Sequence, residues 1–283
     1  MKVMLSTDIE GVSGVVDHEQ IFPGNPLYEE ARRWLTHDIN AAVEGCLEGG
    51  ATEVIVTDAH AMRMNVAFEE LHPEAQLIVG GSTAHRPQLV MESMDSSFDL
   101  ALLIGMHAAA HYPGGILSHS YHLPANFFEV RINDMPVGEP EIATALAGAV
   151  GVPCGLITGD DVTVNEYLKL RPETEGVIVK WALDRTAARC LTLPKTAELI
   201  RAGAKRAVER AAAGEFSPWT FEPPLLLSIT CANYGLANKL AGMPGSERLD
   251  RRVVGFRTDS FLELYRALIT YAYLTLTAIE KLS

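Results

Sequence analysis

The sequence predicts an α/β protein, with a mostly parallel sheet flanked by helices and a second, smaller α+β domain. Three observations carry this prediction. Short continuous apolar runs alternate with amphipathic segments along the N-terminal part of the 283 residues, as strands buried on both faces do. Several of these runs end in a carboxylate or a histidine, at the carboxyl strand ends where open parallel sheets bind ligands. From about Pro194 longer helices separate isolated strands, which divides the chain into an α/β core over 1–190 and a smaller α+β domain over 191–283.

The elements follow in order. "KVML" opens the sheet, and "EEARRWLTHDINAAVEGCLEGG" is a helix with apolar residues at helical spacing and glycines at its end. "EVIVTDAH", "AQLIVGG", "FDLALLIGMHA" and "VPCGLITGDD" are strands that run into Asp58 and His60, His107, and Asp160 and Asp161. Between Gly114 and Val137, "GGILSHSYH" and "NFFEVRINDMPVGE" alternate apolar and polar residues, with "NDMP" as the turn of a hairpin. "EPEIATALAGAVG" is an Ala-rich helix. The second domain then reads helix "KTAELIRAGAKRAVERAAAGE", strand "PPLLLSITC", helix "NYGLANKLAG" and strand "RRVVGFRT". Its closing helix "SFLELYRALITYAYLTLTAIEKL" is apolar on more than one face, as a buried helix or a subunit contact would be.

Composition narrows the function. A 48% hydrophobic content supplies a sizeable core, and a net charge of −13 argues against nucleic-acid or anionic-membrane partners. A small molecule is the expected ligand. Cys46, Cys154, Cys190 and Cys231 are far apart and show no CxxC spacing, which suits reduced thiols. The N-terminus turns polar at Ser6, too early for a secretory leader, and no run reaches the ~20 apolar residues of a membrane span. The expected location is the cytoplasm. Gly-x-Gly-x-x-Gly, phosphate-loop and Gly-x-Ser-x-Gly motifs are absent, so neither nucleotide binding nor a serine nucleophile is expected.

The chemistry gathers at the strand ends: Asp8, Glu10, Asp58, His60, His107 and His119, with Glu139 after the hairpin. In an extended strand Asp8 and Glu10 fall on one face, and two carboxylates so placed repel unless a cation lies between them. Carboxylates with imidazoles and no thiolate form the donor set of a catalytic metal site. Two cations about 3.5–4 Å apart, shared by a carboxylate, would neutralise the pair. Each residue has an ordinary reading too. Asp8 could cap a helix or hold a ribose, His60 could be a loop histidine, His107 could fill a helix start, and Glu139 could favour a helix dipole. Asp58 stands where it could orient a ligand from behind. His18, His37, His72, His85 and His122 are taken as surface or core residues. Arg185, Arg189 and Arg248 are candidates for pairing with a peptide carboxylate.

"STDIEG", "VTDAHAMRMN", "GMHA", "LSH" and "VRINDMPVGE", in this order and with "VKWALDRTAARCL" and "PGSERLDRRVV" beyond them, resemble the D-aminopeptidase family of bacterial dipeptide-transport operons over nearly the whole chain. The resemblance implies a zinc-dependent peptidase with two zinc ions per subunit, an α/β core with a second domain, and a ring-based homodecamer. Carried over by motif, the metal ligands are Asp8, Glu10, His60, His107 and Glu139, with Asp8 bridging, and His119 acts in catalysis. Departures from the family pattern are the longer "MHAAAHYPGGILSHS" with its extra His111, "YHLPANFFEV" in place of small residues, and a missing asparagine after Glu139. These bear on substrate choice. The expected reaction is hydrolysis of the N-terminal residue of short D-amino-acid peptides by a metal-activated water. Another dinuclear amidase or peptidase, and a non-catalytic metal-containing peptide-binding or assembly protein, stay open as alternatives. Zinc suits the donors, as would Mn²⁺ or Co²⁺.

Overall fold

The computed structural model describes residues 1–80, 89–121 and 126–279; His85 and His122 lie outside them. In chain order the elements are β1 (Lys2–Thr7), α1 (Tyr28–Glu48), β2 (Glu53–Asp58), β3 (Ala75–Ile78), β4 (Leu100–Met106), β5 (Phe127–Ile132), β6 (Met135–Val137) and α2 (Glu139–Ala149). They continue as β7 (Cys154–Asp160), α3 (Asp161–Leu170), β8 (Glu175–Asp184), β9 (Ala187–Cys190), α4 (Leu193–Ala212), β10 (Leu225–Cys231), α5 (Tyr234–Leu240), β11 (Ser246–Asp250), β12 (Val253–Thr258) and α6 (Phe261–Ile279).

A seven-stranded sheet runs β3-β2-β1-β4-β7-β8-β9, and a five-stranded sheet runs β11-β12-β10-β5-β6. The first is parallel except for β9, which pairs antiparallel with β8. The second is antiparallel throughout. The expected architecture is therefore present, with the second sheet drawing strands from 127–137 as well as from 225–258.

The apolar runs of β1 and β4 are continuous because both faces of the large sheet are covered. Val3, Leu5, Leu100, Leu102 and Ile104 join a core with Leu35, Ile39, Ile200 and Ala204 of α1 and α4. The alternate residues Met4, Ala101, Leu103 and Met106 join another core with Phe127, Leu227 and Ile229 of the second sheet and with residues of α2 and α6. This period of two through an unbroken hydrophobic run is what a doubly covered strand requires. From β1 the chain passes through α1 to β2 on one side, and later returns to β4 on the other. The carboxyl ends of β1 and β4 thus flank the point where strand order reverses, the place at which open parallel sheets bind ligands.

Two local outcomes differ from the pattern read in the sequence. Residues 114–121 of "GGILSHSYH" form an irregular loop, with Leu117 and Tyr121 at φ 49° and 63°, and the hairpin is β5–β6, turning at Asn133. Side chains with positive φ break strand geometry however well their polarity alternates. The β8–β9 hairpin, α3 and β11 also lie beyond the elements read from the sequence.

Candidate metal centre

The turns beyond these strand ends are built by backbone contacts that leave little freedom. β1 ends at Thr7, so Asp8 and Glu10 stand in the turn beyond it. The Asp8 N–H donates to the Ile104 carbonyl and the Gly11 N–H to the Gly105 carbonyl, both at 2.8 Å. A side chain on Gly11 would place its Cβ 2.0 Å from the Met106 carbonyl oxygen, and one on Gly105, at φ +71°, 2.1 Å from the Asp8 carbonyl oxygen. The β4–β7 register shifts between Leu103 and Met106, a bulge that redirects the chain into His107.

His60 is carried by a loop wound around Asp58. That carboxylate accepts the His60 N–H at 3.2 Å and the Asn65 side-chain amide at 2.9 Å, and the same amide donates to the His60 carbonyl at 2.7 Å. Asp58 thus orients the histidine from behind. His119 stands on the irregular loop, whose backbone is fixed by His119 N–H to the Ala108 carbonyl at 3.1 Å and Leu117 N–H to the Arg185 carbonyl at 2.9 Å. Glu139 opens α2, and its Oε1 accepts the Tyr121 N–H at 2.7 Å.

All the expected site residues converge here. Among the described residues, two groups of three could hold a metal ion: Asp8, Glu10 and His60, and His107, His119 and Glu139, with the donor atoms of each group within 4.8 Å of one another. Asp8 belongs to both neighbourhoods, since its Oδ1 is 3.1 Å from His60 Nδ1 and its Oδ2 is 3.4 Å from His107 Nε2. Glu10 Oε2 is 3.0 Å from His60 Nδ1, and Glu139 Oε1 is 3.4 Å from His107 Nε2. His119 Nε2 lies farther out, 4.0 Å from Glu10 Oε1 and 3.9 Å from Glu139 Oε1. Its ring stacks on His107 with centroids 3.9 Å apart.

Each imidazole is tied on its outer side to a backbone carbonyl: His60 Nε2 to Ile21 at 2.8 Å, His107 Nδ1 to Ala108 at 3.0 Å, and His119 Nδ1 to Leu117 at 2.9 Å. Donation of those N–H groups leaves the inward nitrogens as lone pairs, the tautomer a metal requires. Both Glu10 carboxylate oxygens and His107 Nε2 are buried with no hydrogen-bond partner. Buried polar atoms are seldom left so, and a cation satisfies a carboxylate and an imidazole together. The pooled carboxylate charge favours a cation among these residues, whether a metal ion or a proton on an imidazole. Burial and the neighbouring Glu10 push the Asp8 carboxyl up. Burial also opposes charge on Glu10, but the His60 and His107 imidazoles outweigh it and hold that carboxyl well below its usual range. For His107, the Glu139, Asp8 and Glu10 carboxylates overcome burial and raise it to about 10. Burial, with His107 alongside, pulls His119 down to about 3.

The other candidates disperse. Arg185 stays near, its Nη2 reaching the Ser118 carbonyl at 3.3 Å, whereas Arg189 lies over Trp181 and Arg248 bonds Asn238 at the edge of the second sheet. His111 has both ring nitrogens buried and unpartnered. Sequence reasoning missed Asn65, the Tyr121 backbone and Lys180. Lys180 is fully buried on β8 and donates to the turn that carries Glu10; a lysine inside the apolar run "GVIVKWALD" is the signal that could have found it.

Comparison with known proteins adds the following. A family model described as D-aminopeptidase matches residues 1–270. A D-aminopeptidase of Bacillus subtilis (strain 168) is 34% identical over 277 residues, covering 98% of each chain. A solved structure described as the Zn-dependent D-aminopeptidase DppA from Bacillus subtilis, a self-compartmentalizing protease, superposes with a TM-score of 0.90 at 34% identity over 98% of each chain.

Proposed function

The chain belongs to the D-aminopeptidase family, and from that membership together with the buried cluster we propose that it is a dinuclear zinc peptidase removing the N-terminal residue of short D-amino-acid peptides. One observation carries the metal reading: inward-facing imidazole lone pairs, set by backbone carbonyls, meet buried Glu10 oxygens that have no partner. The residues that would hold the metal are Asp8, Glu10, His60, His107 and Glu139, with the two Asp8 oxygens facing His60 and His107. The donor set is carboxylate and imidazole with no thiolate, which fits a catalytic rather than a structural site. Zinc held there would supply Lewis acidity, the chemistry that lowers the pKa of a bound water and polarises a carbonyl.

The chain's own residues do the remaining work. His119 presents Nε2 to the cluster from outside the ligand set, with its Nδ1–H held by Leu117, so it can pass a proton between the attacking water and the leaving amine. Asp58 and Asn65 hold the His60 loop in place. The acidic cluster suits the free ammonium of a peptide N-terminus, and Arg185 is the arginine proposed to meet the far carboxylate. We place the protein in the cytoplasm, consistent with free cysteines and with no described helix long and apolar enough to cross a membrane. A homodecamer is proposed by family resemblance, and the self-compartmentalizing character of the structural relative supports an assembly of copies.

The deciding experiment measures metal content and hydrolysis of D-alanyl peptides on one sample, before and after chelation and zinc re-addition, with L-peptides alongside. Near two zinc per chain with D-selective, zinc-restored cleavage is the expected result. Bound zinc without D-peptide cleavage would move the protein to another amide substrate. Zinc-loaded protein inert toward every peptide would indicate a binding or assembly role, and protein that takes up no metal would overturn the metal centre itself.

A further inference from the structure

Lys180 is fully buried, and its ammonium makes bonds to main-chain carbonyls alone: Glu10, Val12 at 2.9 Å and Val15 at 2.6 Å. An ammonium has three donors, so its whole capacity is spent on the single turn that follows β1. That turn is closed on its other sides. Gly11 is pressed against Met106, and the Ser13 hydroxyl donates to the Leu191 carbonyl at 2.7 Å. The carbonyls of Glu10, Val12 and Val15 converge on this one ammonium, and the Glu10 carbonyl belongs to the residue whose two carboxylate oxygens are buried without partners. Holding that carbonyl fixes the backbone of Glu10 and therefore the direction of its side chain. A buried lysine is a costly way to tie down a turn unless its charge is used. Asp160 lies opposite it in the sheet register, and Glu10 and Asp38 are also among the acids that act on it.

We propose that Lys180 is a positioning residue of the metal centre: a tethered monovalent cation that gathers the Glu10, Val12 and Val15 carbonyls and so sets the aim of the Glu10 carboxylate. This rests on the reading of Glu10 as a zinc ligand. It differs from a packing role in one respect. Cutting the lysine back should leave a cage of carbonyl oxygens that a free cation of similar size can enter, as potassium or methylammonium would.

The test prepares Lys180→Ala and Lys180→Met in sodium buffers and titrates zinc against a competing chelator, with and without potassium or methylammonium. Zinc affinity should fall about 10–100-fold in both variants, the usual effect of removing a group that orients a ligand. Potassium or methylammonium should restore most of it in Lys180→Ala, where the space is open, and little in Lys180→Met, where the side chain fills it. Wild-type protein should not respond to these cations. If Lys180→Ala fails to fold in sodium, recovery of its circular dichroism and zinc binding in methylammonium supports the proposal equally. Wild-type zinc affinity in both variants, or a loss in Lys180→Ala that no monovalent cation restores, folded or not, overturns it. Wild-type protein that binds no zinc would sink the metal reading instead, a result distinct from either.

Discussion

His107 and His119 are stacked imidazoles in one pocket, yet their surroundings assign them different work. His107 Nε2 has carboxylate oxygens 3.4 Å away on two sides, whereas His119 Nε2 has none nearer than 3.9 Å. His119→Ala should therefore lower kcat by about 10²–10⁴-fold, the range for a lost general acid–base group, while zinc content by metal analysis stays at the wild-type level. A lost zinc ion would make His119 a ligand. Asp8→Asn keeps the shape but removes the charge from the carboxylate facing both donor groups, and should release more zinc than Glu139→Gln, which faces one. At this scale the sequence was informative because polar residues at apolar strand ends are conspicuous. Its reasoning about Asp8 and Glu10 was incomplete. Their convergence arises in a turn held by Lys180 and Gly11 rather than in the pleat of a strand.

The elements were legible wherever apolar periodicity governed them. β1, β2, β4 and β7 run as unbroken hydrophobic strands because the sheet is covered on both faces, and α1 shows its buried stripe at Leu35, Ile39, Ala42 and Cys46. Periodicity failed where φ took over, in the loop carrying His119, whose alternation resembled a strand while Leu117 and Tyr121 turned left-handed. It also failed at β8, where a buried lysine broke the pattern. The bulge at the end of β4 offers an element-scale test. Gly105→Ala must accommodate both the φ of +71° and a Cβ 2.1 Å from the Asp8 carbonyl oxygen. Left-handed strain and overpacking together should cost about 2–5 kcal/mol, measured by urea unfolding. Because the displaced carbonyl belongs to Asp8, zinc affinity should fall with it, whereas Gly24→Ala, with no atom within 4 Å of the new Cβ, should leave zinc binding unchanged.

At the scale of the whole molecule, burial separates the cysteines by chemistry. Cys46 and Cys154 sit in the two cores, where burial pushes their thiols up to about 12, and burial takes Cys231 to about 11. At pH 8 these groups hold almost no thiolate, while Cys190 on β9 is exposed. Iodoacetamide should label Cys190 in the native protein and all four cysteines after denaturation, counted by intact mass. The metal centre joins this stability to function. As proposed, it sits where the large sheet changes strand order, so its candidate ligands come from the turns that follow β1, β2 and β4 and from the start of α2. Pulling any of these apart opens the site. A ligand that binds only the folded chain stabilises it by mass action, by about 2.7 kcal/mol at one hundred times its dissociation constant. For two such sites on a chain of this length that amounts to about 9 °C in melting temperature. Chelated protein should therefore melt about 9 °C lower than protein in such an excess of free zinc, and the difference should grow with the logarithm of free zinc. Asp8→Asn should lose the zinc-dependent increment. Chelated wild-type protein should still melt in one cooperative transition, since both cores are packed by apolar side chains independently of the ligand cluster. A melt that splits into two transitions on chelation would instead show that the cluster, rather than the shared apolar core, couples the two sheets.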